Sequence, residues 1–593
     1  MNAIEDKKVF FDRVYACWMG KNIGGTLGGP LEGRMELMDI KGYTQEFIGP
    51  VENDDLDLQL VNLHCVEQYG GRADSSLLSR EWLDHVHFEW DEYGHALTNM
   101  RRGLCSPLSG RYNNFFADCM GSPIRSEIWA VICAGMPDLA AYYAYHDACV
   151  DHAGGEGMYG EIFFAVLESM AFIEDDKFKL IDRALGYLPR ECAVRRAVET
   201  LLERYHAGDS WQQARQAIID GFAGDNFTYA PVNIAFTLLG WLYEEGFTQQ
   251  MLTTIDCGYD TDCTVATLGS LLGILYGTEY LDSYWTEPLG ENVVVSRPVT
   301  GFNAPRTITE LTERSIAARE LVQAQYAAEP DKEVYRIPYL GAVELHHLPV
   351  GSHREHDLDV MICHEDGMPA YAPGETRTLT VRLRNHEHIP QTLTLEAAVS
   401  GFTSDSVRTE VPGDGEVECV LHLTAPEGKL PRYRGALLMH REVGGVYWNT
   451  EEVPLTLLPT MDWRVSAGEG KACLHLRENR ICASDIGASG ADEFTLETRI
   501  ALTGAPYDVQ LKFACASPLR VELDGEVIID APERTVVIPA YHRADPRKCA
   551  SVRLEPGAHE LRVTVSDADF TELYFMPVAP QNYWAYRIDS IFE

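Results

Sequence analysis

A chain of 593 residues is too long for a single hydrophobic core, so two to four domains are expected. Its formal net charge of −41 sets it against phosphate backbones and anionic bilayers, which excludes nucleic acid and membranes as partners and leaves small substrates. The 15 cysteines are odd in number, scattered and without a C-x-x-C pair, so they read as reduced thiols packed in cores; no signal peptide, transit sequence or long apolar span is visible, and the expected location is cytoplasmic.

The first element is a helix over Phe10 to Ile23, with Val14, Trp18 and Met19 among its apolar residues. Gly24-Gly25-Thr26-Leu27-Gly28-Gly29 follows. It lacks the Gly-Lys-Ser/Thr ending of a phosphate loop and is preceded by a helix instead of a strand, so both nucleotide fingerprints fail. It reads as a helix end and a turn that lines a site. Asn53-Asp54-Asp55 then opens a helix with Leu56, Leu60 and Leu63 on one face.

Cys149 through Gly157 enters a helix that runs through Ile162, Phe163, Val166 and Met170. On these residues alone Asp151 caps a helix and His152 is an exposed loop residue. Glu156, set among Gly154, Gly155 and Gly157, stands where a backbone or ligand can approach closely. Asp260-Thr261-Asp262 opens a further helix carrying Val265, Leu268, Leu272 and Leu275 at helical spacing and a line of small residues, Ala266, Gly269 and Gly273. Each helical glycine costs about 1 kcal/mol relative to alanine, so a neighbouring backbone is expected against that line.

Taken singly, each acidic cluster reads as a helix cap. Taken together they suggest one metal site. If the two helices lie side by side with their N-termini level, Asp54, Asp55, Asp260 and Asp262 converge on one small volume, and their mutual repulsion calls for a cation. Carboxylates at helix N-termini stay ionised, and hard divalent cations require oxygen ligands.

Up to about Ala328 the segments are long and helical; after Pro330 the period changes. Leu379, Val381 and Leu383 alternate with polar residues, as do Val417, Cys419, Leu421 and Leu423, with Pro373-Gly374 and Pro412-Gly413 as turns. Residues 334–459 read as an immunoglobulin-like or fibronectin-like β-sandwich. Beyond Pro459, Val521 to Ile529 holds an Asp524-Gly525 hairpin turn. Leu554 to Val565 resembles the Pro-Gly-x-His strand of galactose-binding-like jelly rolls, giving a second β-sandwich over 462–593 in which Trp584 and Tyr586 read as core. Such modules bind sugars or serve as packing and dimer surfaces, so monomer and homo-oligomer both stay open.

Three segments, Gly20 to Glu32, Glu52-Asn53-Asp54-Asp55 and Gly258-Tyr259-Asp260-Thr261-Asp262-Cys263, resemble in order and spacing the ADP-ribosylglycohydrolase family. The resemblance covers about the first three hundred residues. It implies an all-α catalytic domain over 1–329 that binds Mg2+ or Mn2+ and hydrolyses the bond from a ribosyl C1 to a protein side chain or small group. It implies metal ligation by Asn53, Asp54, Asp55, Asp260, Asp262 and Cys263, with Asp55 deprotonating or orienting water. Glu32, which ends the first motif, goes with the substrate. The family's Thr-His falls at Asp151-His152, beside the substrate ribose. Gly121 to Trp129 resembles the family's Met-Arg turn, so Arg125 holds a carboxylate or meets a phosphate. Asn233, just after Pro231, faces the sugar, and Glu156 is the expected general acid.

The departures from the family pattern are specific. Asn53 stands where the family has Thr, Leu56 replaces a second Thr, Tyr259 a Gly, Cys263 a Ser or Thr ligand, and Gly25-Thr26 a Gly-Asp pair. An Asn carbonyl serves Mg2+ and also admits Ca2+, whereas a thiol is a poor ligand for a hard ion. The expectation is a glycosidase-type hydrolase with one or two such ions, cleaving an O- or N-linked ribosyl or other furanosyl group of a small-molecule glycoside. Two alternatives stand beside it: an ADP-ribosyl hydrolase acting on ADP-ribosylated side chains or small molecules, and a family member that only binds or serves as structure.

Overall fold

The computed structural model describes residues 3–87, 90–328, 349–355, 358–443, 445–468, 470–486, 492–579 and 590–592. Contacts divide the chain into one unit of Met1–Phe88 with Phe116–Val343, and a second of Glu89–Phe115 with Glu344–Glu593. In chain order the helices are α1 (Lys7–Gly28), α2 (Asp54–Tyr69), α3 (Ser75–His85), α4 (Asp91–Arg102), α5 (Leu108–Arg111), α6 (Ser126–Ile132), α7 (Pro137–Asp151) and α8 (Glu156–Ala171). They continue with α9 (Lys177–Leu185), α10 (Ala193–Ala207), α11 (Trp211–Phe222), α12 (Ala230–Tyr243), α13 (Phe247–Asp256), α14 (Thr261–Tyr276), α15 (Ser283–Thr286) and α16 (Ile308–Ala328).

The first unit is helical and is organised by α1 and α14. Asp6 caps α1 by accepting from Lys8 N and Val9 N. The helix does not end at Ile23; it runs through Gly28, so the turn expected over Gly24 to Gly29 is helix for most of its length. The reason is tertiary. A Cβ on Gly20 would lie 2.1 Å from Gly269 O, one on Gly24 2.2 Å from Ala266 Cα, one on Gly28 2.4 Å from Asp262 Cα, and one on Gly273 2.3 Å from the Ala16 carbonyl carbon. The two helices therefore run antiparallel with their backbones in contact, and side chains other than hydrogen or methyl have no room along the seam. The expected close backbone is present, but it belongs to α1, not to α2.

The second unit is a pair of β-sandwiches plus α4 and α5. The first sandwich has one sheet in the order Pro349–Glu355, Leu358–His364, Thr376–Asn385, Glu416–Thr424, Thr403–Ser404. Its other sheet has the order Ala370–Tyr371, Val446–Pro459, Tyr433–Val443, Gln391–Val399, Ser406–Val411. Thr376–Asn385 alternates as the pattern predicts, with Leu379, Val381 and Leu383 buried. In the second sandwich, a sheet in the order Gly470–Leu476, Met461–Ala467, Phe494–Leu502, Gly557–Val565, Leu519–Leu523, Glu526–Ala531, with Ser590–Phe592 also on Phe494–Leu502, faces a sheet of Arg480–Cys482, Glu572–Val578, Tyr507–Cys515 and Cys549–Leu554. The Asp524-Gly525 turn has both φ angles positive, 51° and 84°, as a tight hairpin requires. His559 of the Pro-Gly-x-His strand donates to that turn, its Nδ1 2.7 Å from Asp524 Oδ2. Trp584 and Tyr586 lie outside the described residues.

Leu104, Leu108 and Tyr112 belong to the core of the first sandwich with Leu358, Tyr371 and Leu393. His95 on α4 donates from Nε2 to Pro539 O at 3.0 Å, and Asp91 pairs with Arg543. A segment interrupting the helical sequence thus helps to build both β cores. Every described cysteine is free. Among the described residues no helix is long and apolar enough to cross a membrane.

Candidate metal centre and active site

Asn53 is the N-cap of α2, and its Oδ1 accepts from Asp55 N at 2.9 Å. Gly25 makes this fit: a Cβ there would lie 1.7 Å from Asn53 Nδ2. Asn53, expected as a ligand, thus has its oxygen engaged in the cap, the role its residue type suggested by itself. Asp55, Asp262 and Cys263 each offer one donor atom, all within 4.8 Å of one another, and Glu32, Asp260 and Asp262 do the same. Asp262 is common to both groups.

Burial pushes the Asp55 carboxyl up to about 7, partly opposed by Lys21, and pushes Asp262 to about 7 with help from Glu32 and Asp54. Asp260 is driven well up by burial and by Asp262. Asp55 Oδ2 and Asp262 Oδ1 are buried without a hydrogen-bond partner. Burial and then the neighbouring Asp260 and Asp55 raise the Cys263 thiol, so it keeps its proton and lies 3.7 Å from Asp55 Oδ1 as a donor. That geometry suits a thiol that steadies Asp55, in keeping with the poor affinity of a thiol for a hard ion at the ligand position where Cys263 stands.

Beneath Asp55 lies a buried charge cluster. Lys21 Nζ donates to Ile124 O at 2.8 Å and Glu127 Oε1 at 2.9 Å, and stands 3.5 Å from Asp55 Oδ2. Gln59 closes the other oxygen of Glu127 at 2.8 Å. Asp57, also fully buried, accepts from Ser296 N at 3.0 Å and is pushed to about 7 by burial. Sequence reasoning singled out neither Lys21 nor Asp57. The signal for Lys21 was a lone charge inside an otherwise apolar helical run; Asp57 carried none beyond its place in an acidic first turn.

Arg125 is fully buried and grips Asp151 with two bonds of 2.9 and 2.8 Å, with Asp147 at 3.2 Å. Of its two expected roles it performs the first, holding a carboxylate. Burial alone would raise Asp151, but Arg125 and His152 bring it down to about 2. Asp151 ends α7 instead of capping a helix start, and His152 is buried, its Nδ1 3.0 Å from Asp151 Oδ1. The loop folds inward because Gly155 lies against Ala117 O and Gly157 against the His152 ring, where Cβ atoms would come within 2.1 and 2.4 Å. Glu156 is not placed as a general acid. Its two oxygens accept from Ala193 N and Val194 N at 2.8 and 2.9 Å, capping α10. Asn233 does not present its amide to a sugar: Nδ2 donates to Phe227 O and Tyr229 O, and Oδ1 accepts from Asp260 N at 3.1 Å, fixing the turn before α14. Tyr259 in that turn has φ 70°, a left-handed conformation that costs a non-glycine residue energy, and it stands where the family pattern has glycine.

A family model described as ADP-ribosylglycohydrolase matches residues 6–328. The chain belongs to the ADP-ribosylglycohydrolase family. Membership carries a glycohydrolase-type hydrolase activity. Among solved structures, an ADP-ribosylglycohydrolase-related protein complex is similar at 20% identity over 53% of this chain and 98% of that chain, with a TM-score of 0.38. An alfa-L-rhamnosidase from Aspergillus terreus is similar at 11% identity over 39% of this chain and 28% of that one, TM-score 0.17. No curated relative matches.

For this ADP-ribosylglycohydrolase-family chain, the acidic cluster fits a divalent cation on the chemistry of its donors. Lys21 stands beside Asp55, but carboxylates forced together, with Asp262 Oδ1 buried and without a hydrogen-bond partner, are costly without a further positive charge. Asp55, Asp260, Asp262 and Glu32 are the residues that would hold it. Asp54, also in the first turn of α2, adds charge at the same end.

Proposed function

We propose that this protein is a Mg2+- or Mn2+-dependent glycosidase that hydrolyses the C1 bond of a ribosyl or other furanosyl group in a small glycoside. The observation that carries the reading is Asp262, which brings a donor oxygen within 4.8 Å of one from Asp55 and of those from Glu32 and Asp260. The bound cations would offset carboxylate repulsion and orient the vicinal hydroxyls of a pentose. Asp55, buried and backed by Lys21, is placed to help hold the cation. Glu32 is exposed and within reach of Asp260 and Asp262, and takes the role of orienting and deprotonating the attacking water. Glu32→Gln is expected to lower kcat by about 100-fold or more and to weaken cation binding as well, read by turnover and by titration.

A neutral glycoside is favoured over a nucleotide by the net charge of −41 and by Arg125, whose guanidinium is committed to buried carboxylates. The second reading, hydrolysis of an ADP-ribosyl bond, is favoured by the family to which the chain belongs. Calorimetric titration of the metal-stripped protein with Mg2+, Mn2+ and Ca2+, alone and with ribose, arabinose or ADP-ribose, separates them. Cation binding strengthened by a simple furanose supports the first reading. Strengthening by ADP-ribose only would install the second, and no cation binding would leave a family member without catalysis.

A further inference from the structure

A different set of ligand-type side chains meets where α2, α3 and the 300–302 turn converge. His64 lies nine residues beyond Asp55 on α2, about 13 Å along the helix axis. Glu81 and His85 are one turn apart on the same face of α3. His64 Nδ1 is 2.6 Å and His85 Nε2 3.5 Å from the same oxygen, Glu81 Oε2, and the three donor atoms lie within 4.8 Å of one another. The site is sheltered: the three side chains are 17%, 4% and 12% exposed, and the Phe302 ring packs on both imidazoles with centroids at 5.1 and 5.2 Å.

The orientation of His85 is the decisive feature. Its Nδ1 is 2.9 Å from Thr300 O, and a carbonyl oxygen only accepts, so Nδ1 carries a hydrogen. In the neutral ring Nε2 is then bare, and it lies 3.5 Å from a carboxylate oxygen. Two acceptors this close in a sheltered site are unfavourable, and a proton or a metal cation between them resolves the conflict. An imidazole fixed by a backbone carbonyl through one nitrogen and presenting the other is also how proteins orient metal-ligating histidines. Gly301 makes this possible: its φ is 92°, and a Cβ would lie 2.9 Å from His85 Nδ1.

We propose that His64, Glu81 and His85 form a second metal site, for a borderline divalent transition ion of the Zn2+ type. Two imidazoles and one carboxylate match the three protein ligands of open tetrahedral zinc sites, whereas the oxygen donors at Asp55 and Asp262 suit harder ions. The ion ties α2 to α3 and to the turn at Thr300. This site stands independently of the proposed glycosidase chemistry.

The test uses the full chain carrying Asp260→Asn and Asp262→Asn, stripped with chelator and then offered Zn2+ or Co2+. One retained equivalent by elemental analysis, a tetrahedral Co2+ absorption band and a rise in Tm with Zn2+ are expected, all lost on adding His64→Gln or His85→Gln. Gly301→Ala should weaken Zn2+ by about 10- to 100-fold through the displaced imidazole. X-ray absorption of the Zn2+-loaded wild-type chain, which needs no substitution, should show two imidazole ligands. No retained zinc in the Asp260/Asp262 variant, or zinc that survives both histidine substitutions, overturns the proposal.

Discussion

Asp262 has a buried oxygen with no hydrogen-bond partner and a carboxyl pushed up to about 7, and burial and Asp262 drive Asp260 beside it well above the usual carboxylate range. Replacing either by asparagine removes a charge that repels its neighbours. The Asp260→Asn/Asp262→Asn protein is therefore expected to melt several degrees higher than wild type without metal, and to lose both turnover and the rise in Tm that Mg2+ or Mn2+ gives the parent. Thermal scans with and without cation check both halves; unchanged turnover would remove the hydrolase reading. Gly25→Ala acts on the same site from a distance. Its methyl would occupy the place of Asn53 Nδ2, so the cap over Asp55 must move, costing about 1 kcal/mol and weakening cation binding, which a urea midpoint and a titration measure together. The carboxylates could be read from the sequence because helix-start acids in two distant clusters are visible by residue type. The work of Gly25, Lys21 and Asn233 could not, because each acts through a partner far along the chain.

At the scale of elements, the α1–α14 seam positions everything else, since the end of α1 at Gly28 lies against Asp262 and accepts a bond from Thr261 Oγ1 at 2.9 Å. Gly269→Ala would put a methyl 2.4 Å from Gly20 O and is expected to cost about 2–3 kcal/mol. Gly221→Ala on α11 meets nothing within 4 Å and serves as the contrast, expected to stabilise by about 0.5–1 kcal/mol. Equal effects from the two in chemical denaturation would contradict the seam. The small-residue line at Ala266, Gly269 and Gly273 showed that a backbone had to come close. It could not say whose, because a glycine stripe is a socket that any helix of complementary smoothness fits. For the same reason Gly24 to Gly28 looked like a turn: their intrinsic helix propensity is poor, and only the contact with α14 offsets it.

At the scale of the molecule, the 89–115 segment interrupts the helical sequence yet belongs to the unit that holds the β-sandwiches. Leu104, Leu108 and Tyr112 are core residues of a sandwich that begins some 250 residues later. A chain truncated after residue 330 would expose them, and is expected to be aggregation-prone beside the full-length protein in light scattering. His95 on α4 adds a pH dependence. Burial lowers its imidazole to about 4 from the ordinary 6.5. As pH falls from 6.5 towards 4 the unfolded chain takes up a proton that the folded one refuses, so stability is complete above 6.5 and declines below it, by about 2 kcal/mol at pH 5. Urea midpoints at pH 7 and 5 should show a smaller difference in His95→Gln, which keeps a donor for Pro539 O but cannot titrate.

The sequence by itself determined the change from helical to strand period, the family through three ordered motifs, the alternating strands and the acidic residues of the candidate metal centre. These are local or compositional properties, set by residue type and spacing. Tertiary structure alone decided that Glu156 caps α10, that Asn233 braces Asp260, that His152 is buried beside Asp151, and that α4 and α5 belong with the β-sandwiches. In each case a polar side chain or an apolar face had several partners of equal local merit. Which one it met depended on how distant backbones packed, a property that no short window of sequence contains.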